Sequence, residues 1–166
     1  MKSFVLHDTP LCRVMVASES GAIIHVQLFT TATFGYPKGW EPGDPDGVLA
    51  EAVNQLGAYF AGRLRTFDLP LAPVGTPFQQ RVWTALQRIP YGETVSYADL
   101  AEQVNSGSRA VGGANGANPV AIVIPCHRVI TSAGGLGGYA GGIEQKRWLL
   151  KHEGALDAPL FRGAEA

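Results

Sequence analysis

Apolar positions come in three short runs at the start of the chain. Residues 3–7, 11–17 and 22–30 are rich in Val, Ile, Leu and Phe, and Asp8-Thr9-Pro10 and Ser18-Glu19-Ser20-Gly21 separate them. These runs predict strands, and links this short join antiparallel neighbours, so a meander is expected. Residues 35–47 hold four Gly and three Pro and predict an exposed loop. From Val48 to Ala61 the pattern turns helical: Leu49, Ala52, Val53, Leu56 and Phe60 share one stripe, and Gly62 suits the position just past the helix end. Residues 66–71 predict a further strand or extended segment. The two prolines and one glycine of residues 70–75 mark a domain boundary.

The second half opens on a helix start. Thr76 suits the N-cap, Pro77 the first helical position and Gln79 the capping-box partner. Phe78, Val82, Trp83, Leu86 and Ile89 form its apolar face, and Pro90-Tyr91-Gly92 ends it. A second box, Ser96 with Asp99, predicts a helix from Tyr97 to Val104 with Leu100, Ala101 and Val104 inward. Asn105-Ser106-Gly107 breaks it, and Ser108 is expected to cap a third helix, residues 109–115. Two short helices across a Gly-containing turn are either a helix-turn-helix or a pair that simply packs.

Next comes an apolar run, Ile122 to Ile130, interrupted by Pro125-Cys126-His127-Arg128. Residues 132–142 contain six Gly around Tyr139, a composition that suits disorder or a backbone brought close to a ligand. A last helix is expected over Ile143 to Glu153, with Ile143, Trp148 and Leu149 apolar, ending at Gly154 before an extended, loosely held tail from Ala155. The pattern predicts an α+β protein: an antiparallel sheet with a helix in residues 1–75, and a mostly helical domain in residues 76–166.

Composition changes this picture little. No apolar run approaches the ~18 residues of a membrane-spanning helix, and no secretory leader is recognisable, so a cytoplasmic protein without membrane contact is expected. The net charge of −1 hides an uneven distribution: residues 1–75 carry five Lys/Arg against seven Asp/Glu, and residues 76–152 seven against four. The second half is therefore mildly basic, as a small nucleic-acid face would be. His7, Cys12 and His25 lie on neighbouring strands, but their spacing matches no zinc motif, and neither metal nor cofactor is expected.

The chemistry centres on Cys126. Most free cysteines are small buried hydrophobes, and Cys12 is read that way. Cys126 follows a proline and precedes His127 and Arg128, and positive charge nearby would lower its thiol pKa. It is thus either a core residue or a reactive thiol. Neighbouring residues of a strand point to opposite faces, so Cys126 and His127 cooperate only where the chain turns or a water bridges them. His127 also needs a third group to fix its tautomer. The carboxylates of the second half are Glu93, Asp99, Glu102, Glu144 and Glu153, and Glu153 stands at a helix C-terminus, where the dipole disfavours its charge.

Taken in order, Ile89-Pro90-Tyr91-Gly92-Glu93-Thr94-Val95-Ser96-Tyr97, Arg109-Ala110-Val111-Gly112-Gly113-Ala114, Asn118-Pro119, Pro125-Cys126-His127-Arg128-Val129, Tyr139-Ala140-Gly141-Gly142 and Trp148-Leu149-Leu150-Lys151-His152-Glu153 resemble the O6-alkylguanine-DNA alkyltransferases over roughly residues 76–154. Residues 1–75 fit that family's variable, ribonuclease-H-like domain in pattern only.

The resemblance implies a single-turnover suicide reaction. The alkyl group of O6-alkylguanine, and of O4-alkylthymine, in duplex DNA passes irreversibly to Cys126 after the base is flipped. Carried over by motif, Cys126 is the acceptor, Glu153 and His127 form a water-bridged relay, Asn118 braces the turn, and Tyr97 protonates the leaving base. Arg109 fills the gap in the stack, with Ser96, Tyr97, Ala110, Gly112 and Gly113 along the DNA, while Tyr139, Ala140 and Val129 line the pocket. The implied protein is a monomer without cofactor that can bind cooperatively on DNA. Two departures stand out: the Tyr97–Arg109 link is shorter than usual in that family, and Ala140 replaces a serine found in some members. The alternatives are a lesion-binding protein without transfer chemistry, a helix-turn-helix regulator, and a cysteine hydrolase. The intact Cys126 argues against the first, and nothing suggests a site for the last.

Overall fold

The computed structural model of the chain describes residues 1–29, 35 and 37–155. The end of the third apolar run at Thr30 and the tail beyond Ala155 lie outside them. The described residues divide into two compact units. One spans Met1–Val74 together with Pro119–Ala121; the other spans Gly75–Asn118 and continues from Ile122.

In the first unit the three runs form the expected meander, β1 (Lys2–Asp8), β2 (Arg13–Glu19) and β3 (Ala22–Phe29), antiparallel throughout. Both faces of the central strand β2 are covered, since Val14, Met15, Val16 and Ala17 are buried in succession. Phe4, Met15, Ala17 and Ile24 form one cluster, with Phe29 and Trp40 against it. Helix α1 (Val48–Phe60) buries Leu49, Ala52, Leu56, Tyr59 and Phe60. Gly47 at its N-cap offers no side chain; instead the Asp44 carboxylate accepts from the Leu49 and Ala50 amides at 2.9 and 2.8 Å. Gly62 follows its C-terminus at φ 78°, the left-handed conformation glycine adopts without strain.

Two details differ from the sequence pattern. The Gly/Pro loop contains a short strand, β4 (Glu41–Pro42), parallel to β1. The segment expected at 66–71 contributes only a single bridge, Leu71 to Ile23, and Val120 makes another to Val26. Pro70 and Pro119 lack an amide donor but their carbonyls accept from Ile23 and Val26 at 2.8 and 2.9 Å. Together these bridges cover the open edge of β3, which would otherwise template pairing with another chain.

The second unit is built on helices. Helix α2 (Pro77–Leu86) starts with the complete Thr76–Gln79 capping box and buries Val82, Trp83, Ala85 and Leu86. Phe78 stays partly exposed under the Arg81 guanidinium. β5 (Val95–Ser96) leads into α3 (Tyr97–Gln103), where Ser96 and Asp99 form the second box. Asn105 turns the chain at φ 55°, and α4 (Ser108–Gly116) follows. The cap expected at Ser108 is not there: Gly107 is the N-cap, without a side-chain bond, and Ser108 is already helical. Trp83 Nε1 ties α2 to α4 through the Ala114 carbonyl at 2.9 Å.

The apolar run before Cys126 is no strand. Residues 121–124 are turn and bend, a 3-10 turn covers Cys126–Arg128, and β6 (Val129–Ile130) pairs with β5. Helix α5 (Ile143–His152) closes the unit. Its inward residues are Lys146, Leu149 and Leu150, whereas Ile143 is 40% exposed and Trp148 stacks on His152 at the rim.

Candidate active site

The turn that carries Cys126 is shaped by its neighbours. Pro125 sits at φ −81°, ψ 65° with the Cys126 amide bonded back to the Ile124 carbonyl at 2.8 Å, the geometry of an inverse γ-turn. Ile122 is fully buried at φ 71°, a conformation that strains a β-branched residue. Asn118 holds the bend from below, donating from Nδ2 to the Ile124 carbonyl at 2.8 Å. In a 3-10 turn successive side chains diverge by about a third of a circle. Cys126 and His127 therefore need not face opposite ways, and the difficulty posed by a strand disappears.

His127 and Arg128 both reach Glu153, at the C-terminal end of α5. His127 Nε2 lies 2.8 Å from Glu153 Oε2; Arg128 donates from Nε to Oε1 at 2.8 Å, from Nη2 to Oε2 at 3.0 Å and from Nη1 to the Ile89 carbonyl. Burial would raise the Glu153 pKa, but His127 and Arg128 together hold its carboxyl well below the usual carboxylate range. Burial pushes the His127 pKa down against the pull of Glu153, so the ring is neutral. A carboxylate can only accept, so Nε2 carries the proton and Nδ1 is left with a lone pair. Nδ1 is buried and makes no hydrogen bond among the described residues.

Cys126 is 6% exposed. Burial raises its thiol pKa, and the Asn118 side chain, the Lys146 charge, its own amide and the Tyr139 hydroxyl work the other way. The expectation that His127 and Arg128 would lower it is corrected here, because His127 is neutral and the Arg128 charge is spent on Glu153. The cation that acts on Cys126 is Lys146. This lysine is fully buried, and its Nζ donates to the carbonyls of Val129 at 2.6 Å and Gly138 at 3.2 Å. Burial brings its pKa down to about 8, with Cys126 opposing.

Tyr97 points its hydroxyl at the Gly138 carbonyl, 3.4 Å away. Gly138 belongs to the glycine-rich loop, which is held in place: Thr131 bonds to Gly135 in both directions, Leu136 is buried, and the Gly142 amide meets the Tyr139 carbonyl at 3.0 Å. At Gly137, φ 71°, a side chain would strain the backbone and press against the Tyr97 ring. Ala140 is exposed in this loop, while Val129 is fully buried in β6, paired with Val95, and its carbonyl accepts from Lys146.

Arg109, Ala110 and Gly113 lie exposed on the outer face of α4, with Gly112 half-buried. Side chains at Gly112 or Gly113 would meet nothing within 4 Å, so internal packing does not require glycine at either. Ser96 uses its hydroxyl as the α3 cap. Among the described residues, no group of three His, Cys, Asp or Glu is placed to hold a metal, and no helix is long and apolar enough to cross a membrane.

Sequence reasoning missed Asn115 and Lys146 as members of the site, and it set Arg128 on the thiol rather than on Glu153. Lys146 falls at i, Leu149 at i+3, Leu150 at i+4 and Glu153 at i+7, one helical face; a lysine inside that stripe was the available signal. Asn115 likewise shares the inward face of Val111 and Ala114.

Two family models match. The ribonuclease-like domain of 6-O-methylguanine DNA methyltransferase covers residues 4–73, and its DNA-binding domain covers residues 77–155. A methylated-DNA–protein-cysteine methyltransferase of Mycobacterium leprae is 46% identical over 93% of this chain and 95% of its own. One of Methanosarcina barkeri is 57% identical over 88% and 93%. The crystal structure of the Mycobacterium tuberculosis O6-methylguanine methyltransferase superposes with a TM-score of 0.84 at 45% identity, over 93% of this chain and 94% of that one. The same organism's OGT in complex with DNA gives 0.82 at 46%, over 93% and 92%.

Proposed function

We propose a reaction course for this chain, which belongs to the 6-O-methylguanine DNA methyltransferase family and therefore repairs alkylated DNA by methyl transfer to a protein cysteine. The acceptor is Cys126, it is used once, and the substrate is duplex DNA carrying O6-alkylguanine or O4-alkylthymine. Residues 1–75 act as the ribonuclease-like domain and residues 76–166 as the DNA-binding and alkyl-accepting one.

The observation that carries this reading is the buried 2.8 Å contact between His127 Nε2 and Glu153, which leaves Nδ1 with its lone pair free to take a proton. The resting thiol is protonated. Its proton passes through a bridging water to Nδ1, and Glu153 stabilises the imidazolium that forms, as in other activated-nucleophile sites. Lys146 supports the developing thiolate. The sulfur then attacks the alkyl carbon, the bond to the base oxygen breaks, and Tyr97 gives a proton to the leaving base.

The target atom hangs from a base edge inside the duplex, so the nucleotide must leave the stack, which costs a few kcal/mol. The DNA-bound relative supports a DNA face here, and the open space over Gly112 and Gly113 lets a groove wall lie close to α4. Arg109 at the start of that helix is positioned to replace the lost stacking, and Tyr139, Ala140 and Val129 bound the pocket. One chain carries every residue in this scheme, so it acts as a monomer, and it works in the cytoplasm, where thiols stay reduced.

Mass spectrometry after mixing with an O6-methylguanine oligonucleotide tests the reading. One added methyl on Cys126, with no second turnover, is expected. Tight binding with an unchanged mass would instead identify a lesion-binding protein without transfer chemistry.

A further inference from the structure

The glycine-rich loop has to be rigid at one point. Six of residues 132–142 are Gly, and glycine loses more conformational freedom on folding than any other residue. Yet one carbonyl of this loop, that of Gly138, accepts from the Tyr97 hydroxyl at 3.4 Å and from Lys146 Nζ at 3.2 Å. A proton donor whose partner wandered would wander with it.

Thr131 supplies the anchor. Its amide donates to the Gly135 carbonyl at 2.9 Å, and its own carbonyl accepts from the Gly134 amide at 2.9 Å. Its Oγ1 donates to the Gly135 carbonyl at 3.2 Å and accepts from the Gly135 amide at 2.8 Å. The core residues Ile130 and Leu136 flank this stapled turn on either side. The chain then reaches Gly137, φ 71°, where a Cβ would lie 3.0 Å from Tyr97 Cε2, 3.2 Å from the Tyr97 hydroxyl oxygen and 3.4 Å from Thr131 Cγ2. One side chain thus closes the turn with its hydroxyl and faces, with its methyl, the glycine that lies against the phenol. The reaction course above gives Thr131 no part, and valine would fill the same space, so shape alone does not account for the hydroxyl.

We infer that Thr131 is a positioning residue for leaving-group protonation: its staple to Gly135 fixes the path of Gly137 and Gly138 and so places the Tyr97 hydroxyl. This rests on the proposed function. In the step concerned, the sulfur–carbon bond forms, the carbon–oxygen bond breaks with its electron pair on the base, and Tyr97 transfers its proton to that base. The proton that left the thiol then restores the phenol.

The test compares two methyl donors in single-turnover experiments on the full chain. Methyl iodide needs no proton on its leaving group; an O6-methylguanine oligonucleotide does. Thr131→Val keeps the shape and removes the hydroxyl. It should slow transfer from the oligonucleotide about 10-fold, a share of what general acid catalysis contributes, and should retain the reaction of Cys126 with methyl iodide. Thr131→Ser keeps the hydroxyl and should restore most of the lost rate. In a Tyr97→Phe background Thr131→Val should cause no further slowing, because the two residues act as one unit. Transfer at the wild-type rate, equal slowing with both donors, a Thr131→Ser as slow as Thr131→Val, or additive effects with Tyr97→Phe would overturn the inference. If Thr131→Val does not fold, Gly135→Ala answers by the donor comparison and the Tyr97→Phe background, since its Cβ would lie 3.2 Å from Thr131 Oγ1 and displace the staple. A wild-type chain that gains no methyl from the oligonucleotide overturns the functional reading as well, and is told apart because it needs no variant.

Discussion

The two units bury different kinds of side chain. In the first, the buried polar residues among those described are Ser3 and Ser18; in the second they are Asn115, His127, Arg128, Lys146 and Glu153. The sheet and α1 close over Val, Ile, Leu, Met and aromatic side chains, and burial of that kind is indifferent to pH. The second unit carries two cations, one anion and a neutral imidazole out of water. Buried ion pairs are weak evidence for stability, since desolvation offsets most of their attraction. The difference teaches that one unit is built mainly to fold and the other holds an arrangement it would not need for folding alone.

The contrast is sharpest at Cys126. Cys126→Ser should abolish alkyl transfer outright while the variant still binds DNA, because the segment is held by Asn118 and the γ-turn rather than by the sulfur; gel-shift and mass measurements on one sample check both. Loss of both properties would make the cysteine structural.

Next in size are changes to the folded state. Glu153→Gln breaks a buried pair and leaves the Arg128 guanidinium facing an uncharged amide, which should destabilise the protein by ~3–5 kcal/mol in urea unfolding at neutral pH. Its pH dependence has a definite sign. The folded carboxyl titrates below its ordinary value of 4.5, so its contribution is complete above that pH and is lost as pH falls towards the folded value. The wild type should lose stability below pH ~4.5, and Glu153→Gln should flatten that limb. Leu56→Ala, in the core of the first unit, should cost ~2–5 kcal/mol and leave the acid limb as it is. A Leu56→Ala variant that flattened the limb would erase the distinction between the units.

Smaller effects refine it. Arg109 is exposed, so in Arg109→Ala stability should hold while repair in duplex DNA falls more than reaction with free O6-benzylguanine. Equal losses would remove the stack-filling role. Thr76→Ala should cost ~1 kcal/mol through the lost cap of α2, with no change in the rate of transfer.

Much of the fold was legible from the chain alone, because it depends on local signals. The short runs rich in Val, Ile, Leu and Phe and their short links specified the meander, and the Thr76–Gln79 and Ser96–Asp99 boxes specified two helix starts by bonds that span three residues. Local reasoning failed where a competing local choice existed. Gly107 and Ser108 could each have been the cap of α4, and the apolar residues before Cys126 have strand propensity, yet Pro125 and Asn118 bend them into a turn. The ordered motifs marked Cys126, His127 and Glu153 for the site, and the structure brings His127 and Glu153 into contact.

What the sequence by itself determined is the family and the α+β class, and it singled out Cys126 as the candidate thiol, all on residue order and near-neighbour spacing. What only the tertiary structure decided is the electrical setting of that thiol. His127 and Arg128 adjoin Cys126 in sequence and were expected to activate it by charge, but both face Glu153, and the cation at the sulfur is Lys146 from another helix. Electrostatic influence follows distance and dielectric through space, and a chain that folds back on itself separates both from position along the sequence.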